Sequence, residues 1–284
     1  MTTIARGKVY FVGAGPGDPE LLTVKAAALV RGAEIILHDD LVTPAILALA
    51  APQSMAINVG KRCGAKKITQ EQIHELMISS ARRGMSVVRL KSGDPAIFGR
   101  LGEEIDALHA AGVPFEIVPG VTAALAAASA VGASLTDRRK SSRVLLASGH
   151  HADERKLLAS ADVAALVHED TTLAIYMPGH DFSRIHKELL DAALPPETPC
   201  VIVSRASTPD ESMLWTTLGQ LEEDVSVLES PTVLLIGRTL ENVAQHANAS
   251  QSGLVPPHLP TDFLYGGQHL DSPTTIHLKR SLTP

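Results

Sequence analysis

From residue 8 onward, short apolar runs of strand length alternate with longer stretches of helical periodicity. That alternation constrains the fold more than any other feature of the chain. "KVYFVG" closes at Gly13, and "LLTVKAAALVRGA" carries a helical pattern ending at Gly32. "EIILHD" is the next strand, followed later by the helix "ITQEQIHELMISSARRG" and the strand "SVVRLK". "GEEIDALHAAG" and "FEIVPG" repeat the unit. Strands separated by helices predict an α/β fold, a parallel sheet with helices on its faces. Ligand-handling residues are then expected at the carboxyl ends of the strands.

A second series begins after the Ala-rich "TAALAAASAVGASLT". It runs "RVLLASG", "TLAIYMPG", the helix "SRIHKELLDAAL", "PCVIVSRAS", "SMLWTTLGQL" and "TVLLIGR". The polar "TDRRKSSR" parts the two series, placing a boundary near residues 125–140. Two α/β domains are expected, 1–125 and 126–248. Residues 249–284 are rich in Pro, Ser and Gly, and predict an extended or disordered tail.

Hydrophobic residues make up 45% of the chain but aromatics only 3%, so the core must come from Ala, Val, Leu and Ile. With 25 basic and 31 acidic residues the net charge is −6, which offers no basic face to nucleic acid. Cys63 and Cys200 lie too far apart in sequence for a disulfide framework, and a reducing, cytoplasmic setting is expected. The first residues, "MTTIARGK", hold no signal-peptide core, and no apolar run approaches the roughly 20 residues that span a bilayer. The histidines are poorly spaced for a metal. His150 and His151 are adjacent and diverge, His74 in "HELM" lacks a second histidine, and His258, His269 and His277 sit in the tail. No metal site is expected.

"VYFVGAGPGDPELLT" poses the sharpest functional question. A dinucleotide-binding turn reads G-x-G-x-x-G, with the last glycine admitting close strand–helix contact. Here Gly13, Gly15 and Gly17 are followed by Asp18 in the sixth place, while Pro16 and Pro19 remove two N–H groups that a phosphate would use. The loop is therefore not read as a phosphate cradle.

The company it keeps is more specific. "VGAGPGDPELLTVKA", "LHDDLV", "GKRCG", "VVRLKSGDPAIFGRLGEE", "EIVPGVTAALAAASAVGASLTDRR", "ASGHH", "YMPG" and "ASTP" occur in that order. Together they resemble the tetrapyrrole methylases over roughly residues 7–244. The resemblance implies two α/β domains with the active site in the cleft between them, usually in a homodimer. It implies methylation of uroporphyrinogen III at carbons 2 and 7 by S-adenosyl-L-methionine (SAM), giving precorrin-2 through precorrin-1 and releasing S-adenosyl-L-homocysteine (SAH). "GKR" and "FGR-x-GEE" point to that substrate within the family. By the same resemblance Pro16, Ser92, Gly93, Asp94, Ile97, Thr122, Ala123, Met177 and Ala206 contact SAM. Ser92 stands where relatives usually carry glycine, Leu101 where glycine is frequent, and Arg205 replaces a polar neighbour of Ala206.

The substrate bears eight carboxylates, so its side of the cleft must offer cations. Arg100 and Arg138 match positions linked to tetrapyrrole binding, and Glu103 a carboxylate that orients the substrate or Arg100. Asp39 and Lys61 match a proton acceptor and a proton donor. Gly93 lets backbone approach a ligand closely, and Thr122 and Ala123 fall at a helix start with unpaired N–H groups. The competing readings are another precorrin C-methyltransferase, a nucleotide-dependent oxidoreductase, and a non-catalytic binder of SAM or tetrapyrrole. For Arg100 the simpler reading is a surface ion pair with Glu103, three residues on.

Overall fold

The computed structural model describes residues 4–60, 68–149, 167–179, 182–221 and 228–251, with side chains up to residue 247. Its first sheet forms from strands that are apolar on both faces. In β1 (Lys8–Gly13), Val9 and Phe11 enter one core cluster while Tyr10 and Val12 enter another. A strand coated on both sides suits a parallel sheet with helices on each face. β2 (Ile35–His38), β3 (Met55–Asn58), β4 (Ser86–Lys91) and β5 (Phe115–Val118) complete it in the order β3-β2-β4-β1-β5. All four pairings are parallel, as the alternation predicts.

α1 (Val24–Gly32) covers one face through Ala26, Leu29 and Val30. It starts where Thr23 Oγ1 accepts the N–H of Ala26, a side-chain cap. A short helix, α2 (Pro44–Leu47), adds Ile46 to the same cluster. α3 (Gln70–Arg82) and α4 (Leu101–Ala110) cover the other face with Ile73, Met77 and Leu108. Thr69 and Gln72 form a reciprocal capping box at the start of α3.

α5 (Ala123–Ala130) follows β5 after four residues, yet packs on the second sheet. Its run of alanines allows close approach: Ala124, Ala126, Ala127 and Ala128 are buried against Ala174, Val201, Val203, Val233 and Leu235. That sheet comprises β6 (Arg143–Ser148), β7 (Thr171–Tyr176), β8 (Pro199–Ser204), β9 (Ser212–Thr217) and β10 (Thr232–Ile236). α6 (Ser183–Asp191) lies on its other face through Ile185 and Leu189, and α7 spans Glu241–Gln251. The order is β6-β7-β10-β8-β9, with only β6–β7 parallel and the other three pairs antiparallel. The second sheet is thus mixed. No helix among the described residues is long and apolar enough to cross a membrane.

Candidate active site

The loops leaving β1, β4 and β5 meet at the carboxyl end of the first sheet. Gly15 and Gly93 exchange backbone hydrogen bonds of 3.1 and 2.8 Å, locking the first two loops together. A Cβ on Gly13 would lie 2.5 Å from Gly120 N and 2.8 Å from Gly93 O, so three backbones touch there with no room for a side chain. Gly13 therefore serves the loop junction, and Pro16 sits on its partly buried rim. Gly93 answers to a different demand. Its φ is 66°, while a Cβ would find its nearest neighbours at an ordinary 3.8 Å, so the turn, not crowding, requires glycine. Ser92 is not among the residues of positive φ, and its place in the loop costs no left-handed backbone.

Asp94 binds the junction with both carboxylate oxygens. Oδ2 accepts from Gly120 N at 3.0 Å and Oδ1 from Ala96 N at 2.8 Å. The side chain thus builds the loop first, leaving only second lone pairs for a ligand. Ile97 and Ala123 pack against the cluster between α5 and the second sheet. Phe98 places its ring 5.0 Å from that of Tyr176, at the end of β7.

Tyr176 is the seam between the layers. Its hydroxyl lies 2.6 Å from Thr122 Oγ1 and accepts the N–H of Ala124 at 3.2 Å. Thr122 is the N-cap residue of α5, as expected, but its hydroxyl turns to Tyr176 instead of capping the helix. Met177 follows with φ 50° and half its surface exposed. On the other side, Ala206 is buried in the same cluster, and Ser207 Oγ accepts from Asp18 N at 3.3 Å. A Cβ on Gly17 would sit 2.6 Å from Thr208 Cγ2, so the opening loop lies directly against this turn. Arg205 points elsewhere, to Asp210 at 3.2 Å and to Glu229. Among the described residues six non-glycine residues have positive φ, and five of them, Phe98, Arg100, Met177, Arg205 and Ser207, lie in these loops. Strain gathered in these loops makes them the candidate site. Removing the seam hydroxyl with Tyr176→Phe should leave Ala124 N–H unpaired and cost about 1–2 kcal/mol, read from the urea midpoint.

Asp39 follows β2, and its Oδ1 receives Arg89 Nη2 at 2.6 Å. Behind it lies a buried charge network that the sequence reading missed. Arg89 Nε reaches Glu104 Oε1 at 3.1 Å, Lys91 Nζ reaches Glu104 Oε2 at 2.8 Å, and Gln70 Nε2 reaches Glu104 Oε1 at 3.2 Å. Burial opposes the charge on Arg89, yet Asp39 and Glu104 outweigh it and hold the guanidinium above its usual range. Burial and the neighbouring Arg89 charge pull Lys91 below the ordinary lysine range, against the attraction of Glu104. Two signals were present. "VVRLK" sets two cations on one face of a doubly buried strand, and Glu104 lies on the α4 stripe Leu101–Ile105–Leu108.

Arg100 caps α4 in a left-handed conformation, φ 54°. It grips Glu103 with two hydrogen bonds, Nε–Oε1 at 2.8 Å and Nη2–Oε2 at 2.6 Å, with the two side chains 49% and 52% exposed. This hydrogen-bonded carboxylate raises Arg100 above the usual guanidinium range. Arg138 stands apart. Its turn is closed by the Asp137–Ser141 bridge and tied by Ser141 to Thr172, at the opposite end of β7 from Met177. At strand rise that separates the two ends by roughly 17 Å. Lys61 lies outside the described residues, as do Cys63, His150, His151 and the tail histidines.

Two α/β layers whose strand-end loops close on one another define a protein of the two-layer α/β class. Residues 8–222 match the family model for tetrapyrrole (corrin/porphyrin) methylases, and the chain belongs to that family. It is 41% identical over 239 residues to the uroporphyrinogen-III C-methyltransferase of Pseudomonas aeruginosa, covering 84% of this chain and 96% of that one. It is also 41% identical over 241 residues to the S-adenosyl-L-methionine-dependent uroporphyrinogen III methyltransferase, chloroplastic, of Arabidopsis thaliana, covering 83% and 64% of the two. Against siroheme synthases it spans about half their length. Among solved structures, a uroporphyrin-III C-methyltransferase from Thermus thermophilus complexed with S-adenosylhomocysteine aligns at TM-score 0.70 and 38% identity, covering 83% and 99%. A cobalt precorrin-4 methyltransferase aligns at TM-score 0.72 and 31% identity, covering 82% and 96%.

Proposed function

We propose that this chain transfers methyl groups from SAM to carbons 2 and 7 of uroporphyrinogen III, forming precorrin-2 by way of precorrin-1. One observation carries the reading: the loops after β1, β4 and β5 converge with Met177 and Ala206 around the Tyr176 seam. Half-exposed Phe98 and Met177 beside the Thr122 hydroxyl suit a ligand with an apolar face and polar edges. In this assignment Pro16, Ser92, Gly93, Asp94, Ile97, Thr122, Ala123, Met177 and Ala206 hold SAM. Residues 1–125 form the substrate side, 126–248 the second wall, and 249–284 a tail, in a cytoplasmic homodimer. SAM supplies an activated methyl on a sulfonium, so the protein needs little beyond orientation, a dry cleft and proton removal. Charge balance demands the last of these. A neutral macrocycle that takes a methyl from a cation must release one proton per methyl. In this reading Asp39, after β2, is the acceptor and Lys61 the donor.

Anaerobic incubation with uroporphyrinogen III and SAM should yield a product heavier by two CH2 units, each methyl being gained against one proton lost. Failure with that substrate, but turnover of an already methylated precorrin, would decide for the other precorrin methyltransferases, one of which shares the fold at 31% identity. Arg100 separates a substrate contact from the ion pair with Glu103. An exposed pair of this kind contributes little stability, roughly 0–1 kcal/mol. Arg100→Ala should therefore leave melting and SAH affinity near wild type while turnover falls more than tenfold. Arg100→Lys should restore part of it, because charge returns without the planar fork. A variant that melts early but turns over normally per folded molecule would leave the surface pair as its whole role.

A further inference from the structure

Asp39 is a proposed catalytic group that touches the buried charges beneath the first sheet. Arg89 makes four hydrogen bonds: Nε to Glu104, Nη1 to the carbonyls of Leu37 and Leu90 at 3.3 Å each, and Nη2 to Asp39 Oδ1. Those partners come from β2, from β4 itself and from the first turn of α4, so the guanidinium is fixed from three elements. Glu104, fully buried, divides its two oxygens between Arg89 and Lys91. Its place in the first turn of α4 adds the favourable helix dipole. Two cations and two anions balance, which is the condition for burying them together. Asp39 keeps 27% of its side chain exposed, and among the described residues no side chain bonds its Oδ2.

We propose that Arg89, clamped by Glu104, is a positioning residue that aims the free oxygen of Asp39 at the methylated ring. The proposal rests on the reading of Asp39 as proton acceptor. When the carbon–methyl bond has formed and the sulfur has recovered its electron pair, a proton conjugated with the new cation, on an adjoining bridge carbon or the pyrrole nitrogen, passes to Asp39 Oδ2. The electron pair of the broken bond stays in the macrocycle and quenches its positive charge. A carboxylate free to rotate would present the wrong oxygen or the wrong lone pair. Proton transfer needs heavy-atom distances of about 2.6–3.2 Å, so fixing Oδ1 fixes the reach of Oδ2. A merely structural network would stabilise α4 against β4 without bearing on turnover.

The test uses the full chain with uroporphyrinogen III and SAM, recording kcat, KM and calorimetric SAH affinity. Arg89→Lys keeps the charge but cannot span Asp39 and Glu104 together. It should lower kcat at least tenfold while KM and SAH affinity stay within about twofold. If that variant does not fold, Arg89→Met with Glu104→Gln removes one cation and one anion together and should show the same split. Asp39→Asn is the control. If Asp39→Asn turns over normally, the proton-acceptor reading fails. If Asp39→Asn is impaired while a folded Arg89 variant keeps wild-type kcat, only the positioning proposal is overturned. Equal losses in kcat and SAH affinity would also overturn it, since they would mark general distortion.

Discussion

Gly13→Ala is expected to weaken SAH binding at least tenfold, about 1.4 kcal/mol, in a protein that still folds. The added methyl would stand 2.5 Å from Gly120 N, 2.6 Å from Gly120 Cα and 2.8 Å from Gly93 O. All three are main-chain atoms, so no rotamer can relieve the clash. The loops must part, and overpacking of that kind costs typically 1–3 kcal/mol. Parting them breaks the Gly15–Gly93 exchange and shifts Asp94 from Gly120, the two ties that shape the proposed SAM wall. Gly132→Ala is the contrasting control for added bulk, because a Cβ there meets nothing within 4 Å, although its φ of 67° adds backbone strain. Calorimetry giving unchanged SAH affinity for Gly13→Ala would show that this junction does not shape the cofactor site.

The larger stability effect is expected at Glu104. Glu104→Ala strips the shared anion from Arg89 and Lys91 and leaves one surplus cation among groups shielded from water. Breaking a buried pair from one side costs about 3–5 kcal/mol, because the surviving charge has lost its solvent and its partner. For a domain pair of this size the melting temperature should fall by roughly 10 °C. Lys91→Met combined with Glu104→Gln removes one charge of each sign and should recover much of the loss. A double variant no more stable than Glu104→Ala would show that packing, not charge balance, holds α4 in place.

The first sheet was legible because helices between strands leave few alternatives to parallel pairing. The second hid its direction. "PCVIVSRAS" and "SMLWTTLGQL" are divided by the turn Arg205–Glu211, too short for a crossover helix, and that gap already implies an antiparallel pair. β3 escaped notice because an edge strand of four mostly exposed residues, "MAIN", carries no buried pattern. At the site, the motif positions around Thr122 and Ile97 fell together, whereas Arg138 did not join them. Glu103, carried by the motif, faces water and holds Arg100, whereas Glu104, legible only from helical phase, faces the core. Left-handed backbone at Phe98, Met177 and Ser207 has no residue-type signal, since none is glycine or asparagine.

The passage from β5 to α5 has a mechanical consequence. Only residues 119–122 separate the last strand of one layer from a helix embedded in the other. With Tyr176 pinning Thr122 and Ala124, that crossing acts as a fulcrum. Any rotation that parts the layers must turn about it, and must also break the contact of the opening loop with the turn after β8, where Asp18 N–H meets Ser207 Oγ at 3.3 Å. A label on Ser207 would report whether that contact opens and closes while the crossing stays fixed.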